Sequence, residues 1–127
     1  MKRLASSCFV VAALAGVTGM TMGIVMAASH DHSLAPAHAH LNLLGWVSMA
    51  LYGLYYHAHP QVAARSIATA QVGLAVLSVV LLIPGIVIAN LGGSEIPAVV
   101  GALLALTSMV IFLVITVAGF LREARPA

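Results

Sequence analysis

"HAHLNLLGWVSMALYGLYYH", residues 38 to 57, decides how many times this chain crosses its environment. It has histidines at both ends and no Asp, Glu, Lys or Arg. A helix needs about 20 mostly apolar residues to cross a bilayer, and this stretch reaches that length. Read as a span over residues 36–56, it becomes the second of four. The others are expected over residues 4–28, 64–91 and 96–121. The links between them are short, and short links force antiparallel neighbours. The expected fold is therefore all-α, an integral membrane up-down four-helix bundle forming one domain over residues 1–127.

The composition supports that class. The 127 residues are 62% hydrophobic and 6% charged, against about 25% charged in soluble domains. So few charges leave too little polar surface for a water-soluble globule, and the implied partner is the lipid bilayer. A net charge of +2 without a basic run gives no support for nucleic-acid binding. Cys8 is the single cysteine, so no internal disulfide can form.

Basic residues set the expected orientation. Lys2 and Arg3 open the first span, Arg65 lies between the second and third, and Arg122 and Arg125 follow the fourth. All five fall on one side, while the opposite loops carry Asp31 and Glu95. The basic side is read as cytoplasmic, in a bacterial-type inner (plasma) membrane with both termini inside. "MKR", an apolar run and "VMAAS" also have the outline of a secretory signal peptide. The run of about 25 residues exceeds a signal core of about 7–15, so a retained helix is expected.

The histidines carry the candidate chemistry. At about 100° per residue, His38 and His40 point to nearly opposite faces. The His38 face continues through Asn42, Gly45, Met49, Tyr52 and Tyr56. The His40 face continues through Leu44, Val47, Leu51, Leu54 and Ala58. Polar groups within a membrane turn toward protein. His38 is thus expected to look inward and His40 toward lipid or headgroups. His30 and His32 flank Asp31 in the outer link as an extended H-x-H pair, a usable metal-ligand spacing. His57 and His59 close the second span at the other membrane face, where a cationic imidazole suits a helix C-terminus. Met26, and Met22 one turn deeper, stand near the depth of His38. Thioether with imidazole can hold haem iron or Cu(I).

The same 38–57 stretch resembles a helix of the haem–copper (cytochrome c) oxidase subunit I group and its small four-helix relatives. "GIVMAASHDHSLAP", residues 23–36, resembles the loop that leads into it. The likeness is clearest over residues 22–57. In that group a histidine near the outer end of the second helix ligates the low-spin haem, so the resemblance implies that role for His38 or His40. The departures are large. No histidine follows His59, so the remaining haem and copper ligands are missing and no oxygen-reducing centre can be assembled by this chain alone.

The expected site is therefore cofactor-binding at His38, His40, Met26 and Asn42, with His38, His40, His30, His32, Met22 and Met26 as metal donors. Haem is the expected cofactor and copper the alternative; a cofactor-free structural subunit is the third reading. The implied role is electron transfer or assistance to a respiratory complex, with a second protomer as another source of the missing ligand. No nucleophile–base pair or phosphate-binding glycine loop is present. Elsewhere, Gln71 is expected to bond Tyr52, and Trp46 to pack within the bundle or at a subunit contact. Pro84 is expected to kink the third span. "NLGGSEIP", residues 90–97, is expected to cap one helix with its glycines and the next with Ser94. Gly19 and Gly23 form a G-x-x-x-G, a spacing too common in membrane helices to carry much weight.

Overall fold

The computed structural model describes residues 2–124, which are helical apart from short links, with no strand among them. Helix α1 covers Lys2–Ser29 and α2 covers Ala35–His40. A π-helical stretch, Leu41–Ser48, leads directly into α3, Met49–Ala58. One turn, α4, covers Pro60–Ala63; α5 covers Ser66–Asn90 and α6 covers Ile96–Glu123. Three of these, α1, α5 and α6, are long and apolar enough to cross a membrane. Their outward faces stay apolar: Leu14, Ile24, Leu103 and Leu106 are all more than half exposed. Helices apolar on their outward as well as their inward faces are suited to lipid surroundings.

The chain runs up and down. α1 packs antiparallel on residues 35–58, with Gly23 near His38, Gly19 near Asn42 and Gly53 near Cys8. The buried positions of α1 are Ala5, Cys8, Ala12, Ala15, Gly16, Gly19 and Met26, with Met22 half-buried; Gly16 widens the stripe beside Ala15, and the rest keep one spacing. Steps of three and four alternate, a period of about 3.5 residues, which is the seam of a left-handed helix pair. Most of these side chains are small, so the two backbones come close.

The segment over residues 35–58 is not the single α-helix expected over residues 36–56, and it is not one of the three helices long and apolar enough to cross a membrane. It is helical from residue 35 to 58, but its middle turns are bonded i to i+5. Side chains that bond back onto the ladder accompany the change. The Asn42 amide donates to the carbonyl of His38 at 2.9 Å, and the Ser48 hydroxyl to that of Leu43 at 2.8 Å. Such bonds compete with regular α-helical pairing. A wider turn has a consequence for register: Leu44, Ser48 and Tyr52, four apart, line one recess. Leu44 is accordingly half-buried, not on the lipid-facing stripe with Val47, Leu51 and Leu54, which are exposed as expected.

α5 and α6 touch backbone to backbone. A Cβ on Gly85 would collide with the main chain of Pro97 and Ala98, and one on Gly101 would stand 2.5 Å from the Leu82 nitrogen. α5 runs through Pro84 without a break. It ends at Gly92, whose φ of +82° only glycine adopts readily; the Gly93 N–H closes the end by donating to Ile88 at 2.9 Å. Ser94 accepts the Ile96 N–H at 3.2 Å, but the N-cap position of α6 is Glu95, with no side-chain cap bond, so Ser94 orders the turn before the helix and is not the expected cap.

A buried polar cluster joins the two helix pairs. Tyr56 donates to Oε1 of Gln71, and Gln71 Nε2 donates to the Ser108 hydroxyl, each at 2.9 Å. Ser108 in turn donates to the main-chain carbonyl of Gln71 at 2.9 Å. All three residues are essentially inaccessible. The partner of Gln71 is thus Tyr56, one turn beyond the expected Tyr52. Tyr52 and Tyr56 lie one turn apart on the same buried face, and the packing of α3 on α5 brings Tyr56 to Gln71. Tyr52 instead packs on Phe112, with ring centroids 4.7 Å apart, and points its hydroxyl at the Met109 sulfur.

The two ends of the molecule differ in charge. Arg3 borders a recess with Ala63, Ala64 and Thr69, and Arg65 and Arg122 border another close by. Asp31 and Glu95 lie at the far end, where the Asn90 amide ties the two links together by donating to the Ser33 carbonyl at 3.0 Å. Arg125 lies outside the described residues.

Candidate functional site

The acidic end holds the expected site. Pro36 suits the first turn of α2, and the short helix delivers His38 against α1. His38 Nδ1 lies 2.8 Å from the carbonyl oxygen of Gly19. A carbonyl can only accept, so Nδ1 carries the proton and the neutral ring keeps its lone pair on Nε2. Asn42 spends its amide donor on the His38 carbonyl and so props the same turn from below. This is how a ligating imidazole is usually held, with one nitrogen anchored on protein and the other free.

The floor of this arrangement is the G-x-x-x-G of α1. A Cβ on Gly23 would stand 3.1 Å from Cε1 of His38, and one on Gly19 would stand 2.5–2.8 Å from the Asn42 amide atoms. The glycine spacing discounted in the sequence therefore belongs to the site. The signal that could have revealed it was the antiparallel register, which pairs 19 with 42 and 23 with 38.

The other candidates are dispersed. His40 turns away from α1, as expected, and bonds its own helix, Nδ1 to the Pro36 carbonyl at 2.8 Å. It borders a largely apolar groove of about 330 Å³, lined by Leu82, Ile86 and Val99 along with Asn90 and Glu95. His30 ends α1 with a φ of +56°, in the left-handed region. This removes the extended H-x-H geometry expected of His30 and His32, because a helix-terminating residue turns the chain. The loop is instead ordered by Asp31, whose Oδ1 accepts the Ser33 N–H at 2.9 Å. That bond, first, holds the Asp31 carboxyl below its usual range.

Met22 and Met26 border a groove of about 320 Å³ along α1, with Thr18, Thr21 and Leu34. Among the described residues, no three His, Cys, Asp or Glu side chains gather as metal donors. At the basic end, His59 anchors Nδ1 on the Tyr55 carbonyl at 2.9 Å and stacks on the Tyr55 ring, centroids 4.4 Å apart. That is the helix-end role expected of it. Trp46 lies over Gly16, 3.3 Å from where a Cβ would be, yet remains 40% exposed. It forms part of the outer face and is not enclosed in the interior.

No family model matches the chain, and neither a curated protein nor a solved structure matches it significantly.

Proposed function

We infer that the chain is a four-pass membrane protein that binds haem near its acidic end, with His38 as an axial ligand. In this reading the second pass spans the bilayer with the other three as an up-down bundle. The basic end with both termini faces the cytoplasm of a bacterial-type inner membrane. The observation that carries the haem assignment is the His38–Gly19 bond. It fixes the tautomer, holds the ring and leaves Nε2 as an unshared donor.

The donor chemistry fits one axial position. Gly19 and Gly23 give the ring room, and Asn42 steadies its turn. Among the described residues no second donor stands opposite. His40 faces another groove, and Met22 and Met26 open along α1. The second ligand would come from Met26, from His30 or His32, or from a second protomer or respiratory complex. Haem would supply a one-electron iron couple, and the role that follows is electron transfer or an accessory part in respiration. The protein's own contribution is to anchor an imidazole and to exclude water from it with the small-residue seam.

The test is a reduced-minus-oxidised spectrum of the full chain, purified in mild detergent after expression with ample haem supply. Haem bands are expected in the wild type, lost in His38→Ala and retained in His40→Ala. A wild type without haem bands overturns the reading. The groove beside Met22 and Met26 favours copper as a second reading, since thioethers suit Cu(I). Elemental analysis separates the two, as copper without porphyrin would support only the second.

A further inference from the structure

The basic end holds a groove that the haem reading does not use. It lies between α4, the start of α5 and the last turns of α6, and has a volume of about 230 Å³. Arg65 and Arg122 border it, together with His59 and Gln61. Its floor is apolar, made by Val62, Val114, Ile115 and Ala118. A notch is kept open at Gly119, where a Cβ would come within 3.1 Å of the Tyr55 hydroxyl. Asp31 and Glu95 are both at the opposite end of the molecule, and Glu123, whose side chain lies outside the described residues, follows Arg122 at the end of α6. Two guanidinium groups therefore share one recess with His59 and Gln61 at its border and a floor of hydrocarbon.

We propose that this groove seats the phosphate of an anionic phospholipid, with an acyl chain running along the exposed face of α6. The proposal rests on the membrane reading of the chain but not on haem. Guanidinium forks match phosphate oxygens in geometry and charge. Basic pockets between membrane helices on the cytoplasmic side are suited to such headgroups. The apolar floor selects the lipid over a free phosphate, because a phosphate ion alone would leave Val114, Ile115 and Ala118 uncovered. Leu113, Val117 and Leu121, all close to half exposed or more, continue that apolar path beside the groove. The other basic recess, around Arg3, offers one arginine with Ser7 and Thr69 and serves as an internal control.

The experiment is native mass spectrometry of the full chain in detergent. The chain is titrated separately with phosphatidylglycerol, phosphatidylcholine and inorganic phosphate. Preferential retention of phosphatidylglycerol is expected. Each of Arg65→Gln and Arg122→Gln should weaken it about fivefold, and the double variant about thirtyfold. Arg65→Lys, which keeps the charge but loses the fork, should fall between the wild type and Arg65→Gln, and Arg3→Gln should keep the whole preference. Unchanged phosphatidylcholine binding by each variant shows that it is folded. Equal weakening by Arg3→Gln would overturn the groove in favour of diffuse charge. Competition by inorganic phosphate at the same concentration as the lipid would overturn the lipid in favour of a phosphate site. An unaltered preference in the double variant would overturn the proposal outright. A separate flotation assay with phosphatidylcholine vesicles guards the premise: a chain that stays at the bottom of the gradient fails the membrane reading itself.

Discussion

A histidine's use depends on what its second nitrogen does. His38, His40 and His59 each rest Nδ1 on a carbonyl, but only His38 crosses to another long helix. Its partner carbonyl comes from α1, so the bond joins two elements as well as setting the tautomer. Gln71 does comparable work at the other end, and its removal is readable as stability. Gln71→Leu would remove two bonds, the acceptor of the Tyr56 hydroxyl and the donor to Ser108, while Ser108 keeps its own bond to the main-chain carbonyl of residue 71. Interhelical bonds in membrane proteins contribute about 0.6 kcal/mol on average, up to about 1.7. Losing two of them is expected to cost about 1–3 kcal/mol, measured by unfolding in detergent. A fully stable variant would show the cluster to be dispensable. Asp31 gives a pH signature. Its folded pKa lies below the ordinary 3.8, so the bond to Ser33 is complete above that value and is lost as pH falls through the depressed one. The Ser33 amide signal should therefore titrate below the ordinary carboxylate range. A midpoint above that range would contradict the bond.

Among elements, the closest contact is between α5 and α6, and it depends on glycine at two places. Gly101→Ala drives a methyl to within 2.5 Å of the Leu82 nitrogen, and a backbone cannot swing aside as a side chain can. A loss of about 1–3 kcal/mol or more is expected from overpacking. Gly73 lies in the same hairpin with nothing near its Cβ position. Gly73→Ala should leave stability unchanged or raise it by about 0.5–1 kcal/mol through reduced backbone entropy. Parallel thermal unfolding of the two variants checks the pair, and equal effects would mean that the contact is not tight. The π-helical stretch is the other element-scale feature. It lies between the His38 turn and the tyrosines. Its boundaries had no sequence signal beyond Asn42, Gly45 and Ser48, residues that also occur in ordinary helices.

At the scale of the whole molecule, the charge separation is testable without any cofactor. In a Cys8→Ala background, His32→Cys should react with a membrane-impermeant maleimide added to intact cells. Arg65→Cys should react only after lysis. The reverse pattern would invert the proposed topology, and labelling of both in intact cells would refute a fixed orientation. Arg3, Arg65 and Arg122 were readable as one end because spans of fixed length alternate direction, so loop charges sort by parity. The all-helical character and the three long apolar helices α1, α5 and α6 were readable for the same reason: hydropathy and length are local properties. The inward stripe from His38 through Tyr56 was readable because angular position follows from residue spacing.

What spacing could not supply was register between helices. The sequence by itself determined an all-helical chain with an apolar exterior, a basic end and an inward-facing His38, because each of these follows from the residues within one segment. Only the tertiary structure decided that Gly19 receives the His38 proton, that Tyr56 and not Tyr52 holds Gln71, and that His40 lies beside Asn90 and Glu95. Those pairings depend on how far one helix slides and turns against the next. That is set by the summed packing of small residues, which no single segment encodes.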